Sequence, residues 1–179
     1  MSAGCRCGER GPQRERDSVG AMASTPAAGP PPPPPVTDID LIQFAAIVNT
    51  ARIDNEQGLT TALVATAGDG EPDLSLRGSL MVWDKDHLAW WERAKRETLA
   101  NLGKNRRVAA FVRNPARDRR TIRFYGEARV VDDGPERDAV WERVLPIEKD
   151  MDKERKGVAV IVRIDRVRAG IFDIQRRDR

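Results

Sequence analysis

A period of two dominates this chain. Residues 73–82 put Leu74, Leu76, Leu80 and Val82 on one side and Ser75, Arg77 and Ser79 on the other. Successive strand side chains point to opposite faces, so this pattern predicts a strand with one packing face and one polar face. Residues 59–67, 87–92 and 107–113 carry similar strand patterns. Residues 120–131 set Ile122, Phe124, Ala128 and Val130 against Arg123, Tyr125, Glu127 and Arg129. Two further strands are predicted at 158–166 and 169–174. Gly68-Asp69-Gly70, Asp84-Lys85-Asp86 and Asn114-Pro115 supply the turns.

Helical spacing appears in fewer places. Leu41, Phe44, Ala45 and Val48 recur at three and four residues behind Asp38, a candidate cap. Residues 97–103 predict a short helix. Asp132-Asp133-Gly134-Pro135 opens another, with Val140, Trp141, Val144 and Leu145 along one side. Residues 147–156 are densely charged and read as a surface loop or frayed turn. Six or seven strands joined mostly by short turns and interrupted by two helices describe a mainly β fold, an antiparallel β-barrel with flanking helices at its ends.

Composition narrows the class. The 179 residues are 40% hydrophobic and 33% charged, as befits a chain with a real core. Residues 1–36 hold 8 of the 12 prolines and almost no large apolar side chain, predicting a disordered Pro-rich N-terminal arm ahead of a folded domain over 37–179. Met22 is a candidate alternative start. No stretch has the apolar length of a signal peptide core or a membrane span, so a soluble, cytoplasmic protein with no membrane partner is expected. Cys5 and Cys7, both in the arm, exclude a disulfide framework, and no metal site is expected. Net charge is +3, from 31 basic and 28 acidic residues spread through every element. That mixed surface argues against a nucleic-acid partner. The single histidine, His87, lies in or beside a turn, and no Ser-His-Asp set or phosphate-binding Gly-rich loop is present. No catalytic acid or base is identified.

One region combines features suited to a phosphorylated aromatic ligand. The polar stripe with Arg77 and Ser79 precedes a strand carrying Trp90 and Trp91. Lys95, Arg96 and Thr98 then stand at the start of the helical run. Helix N-termini favour anions, and guanidinium forks match phosphate oxygens.

LVATAGDGEPDLS, the run Thr98-Leu99-Ala100-Asn101-Leu102-Gly103-Lys104-Asn105-Arg106-Arg107-Val108-Ala109, and Gly126-Glu127-Ala128-Arg129-Val130-Val131 occur in this order. Together they resemble the pyridoxamine 5'-phosphate oxidase-like family of FMN-binding split barrels, over roughly residues 55–170. The resemblance implies a homodimer with FMN, or alternatively a deazaflavin, at the subunit interface. It further implies an oxidoreductase that moves hydride or electrons between a reductant and a small organic substrate. Arg77, Ser79, Lys95, Arg96 and Thr98 become candidate phosphate ligands, Met81, Val82 and Trp91 candidate ring contacts, and Asn101 a residue that orients the helix start. Where the family's oxidases have adjacent Arg and Lys, this chain has Glu97 and Thr98. The C-terminal Trp- and Arg-containing segment that grips the vitamin substrate is also missing. The expected activity is therefore not the vitamin-forming one. A rival reading is a flavin-binding stress or regulatory module without turnover.

Overall fold

The predicted strands join into one antiparallel sheet in the computed structural model, which describes residues 32–55 and 60–178. A 3-10 turn, Leu41–Phe44, runs into helix α1, Ala45–Val48. Then come β1 (Thr61–Thr66), β2 (Asp73–Leu76), β3 (Met81–Val82), β4 (His87–Glu92) and α2 (Glu97–Lys104). The chain continues through β5 (Arg107–Asn114), β6 (Asp118–Val131), α3 (Pro135–Arg143), α4 (Pro146–Lys149), a 3-10 turn Asp150–Asp152, β7 (Val158–Ala169) and β8 (Phe172–Arg176). The N-terminal arm lies almost wholly outside the described residues.

Strand order is β2-β1-β5-β6-β7-β4-β3, with β8 on β7. This order by itself forces the sheet to curl. Strands β2 and β3 occupy opposite ends of the path yet are joined by residues 77–80 alone. Five Cα steps reach at most about 18 Å, whereas six flat strand spacings amount to about 29 Å. The sheet therefore rolls into a barrel, left split where β2 and β3 approach without pairing. A register shift between Tyr125 and Gly126 helps β6 bend, because a bulge increases local twist. A Cβ at Gly126 would overlap the Arg163 carbonyl, so β6 and β7 meet there backbone to backbone.

Two hydrophobic clusters follow from the strand alternation. Trp90, Leu88, Phe124, Ile122, Ile164 and Phe44 fill the barrel, with the Phe44 and Phe124 rings edge to face at 5.6 Å. On the other face of the same sheet, Trp91, Met81, Ile161, Val140 and Trp141 pack under α3. Residues Val158 to Val162 are consecutively buried because both faces of β7 are covered there. No described helix is long and apolar enough to cross a membrane.

Several expectations are corrected. Asp40 rather than Asp38 caps the first turn, accepting from the Ile42 amide. Residues 73–82 are two strands, not one, since the chain must cross the split between them. Their apolar side does not pack throughout: Leu80 and Val82 are buried, but Leu74 and Leu76, on the terminal strand β2, are exposed. Val130 is likewise partly exposed near the end of β6. The charged segment 147–156 begins in α4, and its Glu148 is buried. The two closing strands are present with shifted bounds: β7 runs on to Ala169, and β8 covers Phe172–Arg176.

Candidate functional site

The split creates the site. Residues 76–78 line two adjoining clefts, one of about 330 Å³ reaching Arg52, Thr60 and Met151, the other of about 320 Å³ reaching Trp91, Glu92 and Ala94. Arg93 and Glu148 border both.

Arg77 leaves the end of β2 and turns inward. One of its terminal nitrogens donates to the Thr98 hydroxyl at 2.6 Å and stands 2.8 Å from Glu92 Oε2, while the other donates to the Leu76 carbonyl at 3.0 Å. Glu92 also accepts from the Trp90 indole N–H at 3.2 Å, because residues 90 and 92 share the interior face of β4. The Arg77 and Glu92 side chains are only 11% and 3% exposed. Arg77 Nε is buried without a partner among the described residues, leaving a donor that an additional oxygen could satisfy. The Thr98 hydroxyl in turn donates to Asp73 Oδ2 at 2.9 Å, which also accepts from Ser75 at 3.1 Å.

Of the cations ahead of α2, Lys95 takes a positive φ of 50° and Arg96 is the N-cap residue. Both are exposed, and neither side chain has a hydrogen bond or ion pair with the described residues. No side chain caps the α2 N-terminus. Its first-turn amides and two cations thus stand beside Thr98 without a side-chain acceptor.

The other predicted residues have internal duties. The Ser79 hydroxyl bridges β4, donating to the Trp91 carbonyl at 3.2 Å and accepting from the Trp91 amide at 3.1 Å. Asn101 donates to Thr66 at 3.2 Å and ties α2 to β1. Met81 and Val82 are buried, the first under α3 and the second inside the barrel. Trp91 is also buried: its ring lies 4.8 Å from Trp141 and its indole N–H donates to Asp152 at 2.8 Å. The structure therefore brings Arg77 and Thr98 together, while the Ser79 hydroxyl and the Trp91 indole are engaged elsewhere.

Sequence reasoning missed Glu92, Asp73, Arg52, Arg93 and Glu148. For Glu92 a signal existed: a carboxylate two residues from Trp90 on an interior strand face needs a cation opposite it. Glu148 offered none, since its partner Arg52 lies 96 residues away.

A profile of the pyridoxamine 5'-phosphate oxidase family matches residues 52–169, about two thirds of the chain. The chain belongs to that family. The family match spans β1 through β7 and so includes the whole split. Among solved structures, HupZ of Group A Streptococcus is 20% identical, covering 74% of this chain and 95% of its own, with a TM-score of 0.54. An FMN-binding protein of Syntrophomonas wolfei is 15% identical over 73% of this chain and 88% of its own, also at 0.54. General Stress Protein 26 of Bacillus anthracis is 13% identical over 68% and 92%, at 0.50. These likenesses establish the split-barrel fold. No curated protein sequence matches the chain.

Proposed function

We propose that this member of the pyridoxamine 5'-phosphate oxidase family binds a flavin or deazaflavin cofactor, FMN first, in the split between β2 and β3. On this reading it acts as an oxidoreductase on a small organic substrate. The observation that carries the proposal is the unpartnered Arg77 Nε beside Thr98, next to an uncapped α2 N-terminus and the uncommitted Lys95 and Arg96. Such a donor set suits a terminal phosphate. Arg77, Thr98, Lys95 and Arg96 would hold that group. Backbone groups near Ser79 and Trp91 would border the ring, since their side chains are turned inward.

The bound cofactor would supply the hydride or electron transfer, and the chain's residues would bind and orient it. Asp73 opposes anion binding at Thr98, and Glu92 offsets the Arg77 charge, so the affinity of the cradle is set by this balance. A homodimer accords with this reading: β2 ends the strand path and presents Leu74 and Leu76 at 63% and 71% exposure.

Two measurements test it. FMN added to the purified protein should lose fluorescence saturably, and heating should release it. Sedimentation should give twice the chain mass. If neither FMN nor a deazaflavin phosphate binds, the reading is wrong.

A further inference from the structure

Glu148 is held where a charged side chain needs a reason to be. Its side chain is 7% exposed, at the border of both clefts, and Oε1 accepts from Arg52 Nε at 3.0 Å. Its other oxygen stands 3.7 Å from Arg93, too far for a hydrogen bond. Gly78 makes room for it, because a Cβ there would overlap the carboxylate. Two guanidinium groups from distant parts of the chain are thus aligned on one buried carboxylate.

Their donors are mostly unspent. Arg52 commits only Nε, leaving its terminal amino groups without hydrogen bonds to the described residues, and the Arg93 fork donates to none of them. The side chains are 37% and 36% exposed and line the cleft. Asp152 also feels the Arg93 charge, but its carboxylate already accepts from Trp91, Lys156 and Gly157. Two cations against Glu148 leave one net positive charge at the mouth. Beside it, Leu76, Ala51, Ala62 and Met151 provide apolar walls.

We propose that Arg52 and Arg93, oriented by Glu148, bind the carboxylate or phosphate of a substrate whose apolar body rests against Leu76 and Met151. The cleft would therefore select small organic acids or phosphate esters over neutral molecules. This deepens the reading given above and rests on it in calling the bound anion a substrate.

The test is calorimetric titration of the full-length protein, with FMN added first to fill the proposed cradle, using inorganic phosphate and benzoate at low salt. Both should saturate one site, and the double variant R52Q/R93Q should weaken both by about tenfold or more, as expected for loss of a charge-assisted fork. E148Q removes the opposing charge and should tighten both, a change that a purely structural role for Glu148 would not produce. The preference of the protein for FMN over riboflavin should survive R52Q/R93Q. Absence of saturable binding, or a double-variant curve superimposed on that of the parent, overturns the proposal. So does loss of the FMN preference, which would hand the two arginines to the cofactor. If binding depends instead on Arg77, as judged from R77Q, this inference fails while the flavin reading stands. If no flavin binds but the Arg52- and Arg93-dependent titration persists, the flavin reading fails and the anion site stands.

Discussion

Arg77 and Glu92 meet at 2.8 Å inside the end of the barrel, both nearly withdrawn from solvent. Neither charge could remain there alone, because an isolated ion in a low-dielectric interior is far costlier than a pair. Their contact fixes the end of β2 against β4 across the split. It also fixes the Arg77 side chain, which lies in the proposed cofactor cradle.

Replacing Glu92 by Gln leaves the Arg77 cation uncompensated and should lower stability by about 3 kcal/mol in urea unfolding. The apolar pair R77M/E92L should recover most of that loss, because removing both charges also removes the desolvation cost. A double variant less stable than E92Q would contradict this view of the pair.

Asp73 accepts from the Thr98 hydroxyl, and in the proposed cradle its charge would oppose a bound phosphate. Asp73→Asn removes a negative charge from the proposed phosphate position and should raise FMN affinity by about three- to tenfold at low salt, measured by fluorescence titration. The gain should shrink as salt is added. Thr98→Val should act oppositely, taking away the hydroxyl that links Arg77 to this position.

Asp54 controls acid sensitivity at a different place, where the turn after α1 meets the β5–β6 hairpin. Hydrogen bonds from Arg117 and Thr50, and from Asn114, hold its carboxyl far below its ordinary value of 3.8, outweighing the desolvation that opposes them. Its proton is therefore bound more weakly in the folded than in the unfolded chain. The resulting stability is present in full above the ordinary value and lost as pH falls below it towards the folded value. Chemical denaturation from neutral pH downward should show the parent protein more stable than Asp54→Asn near pH 7, with the gap closing below about pH 4.

Two glycines should respond in opposite ways to alanine. At Gly126 the new Cβ meets the Arg163 backbone, which cannot rotate away, so the loss should be about 3 kcal/mol or more. At Gly103, inside α2, nothing lies within 4 Å of the new methyl group. There the gain in helix propensity should stabilise by about 0.5–1 kcal/mol. Thermal or urea unfolding of both variants checks the pair.

The alternation of apolar and polar residues by itself determined most strands of this protein, because period two leaves a local trace in each segment. It placed 87–92 with both bounds as observed, and 107–113 and 120–131 to within two residues. Turn residues marked the β1–β2 and β5–β6 hairpins for the same local reason. Arg77 and Thr98, both named as candidate phosphate ligands through the family resemblance, stand 2.6 Å apart. Only the tertiary structure decided where the barrel splits, since that depends on which strands become neighbours across the whole chain. It alone revealed Glu92 as the partner of Arg77 and Glu148 as the anchor of Arg52 and Arg93. A charged residue looks the same in a sequence whether water or an opposite charge surrounds it, and here the deciding partners come from distant segments folded against one another.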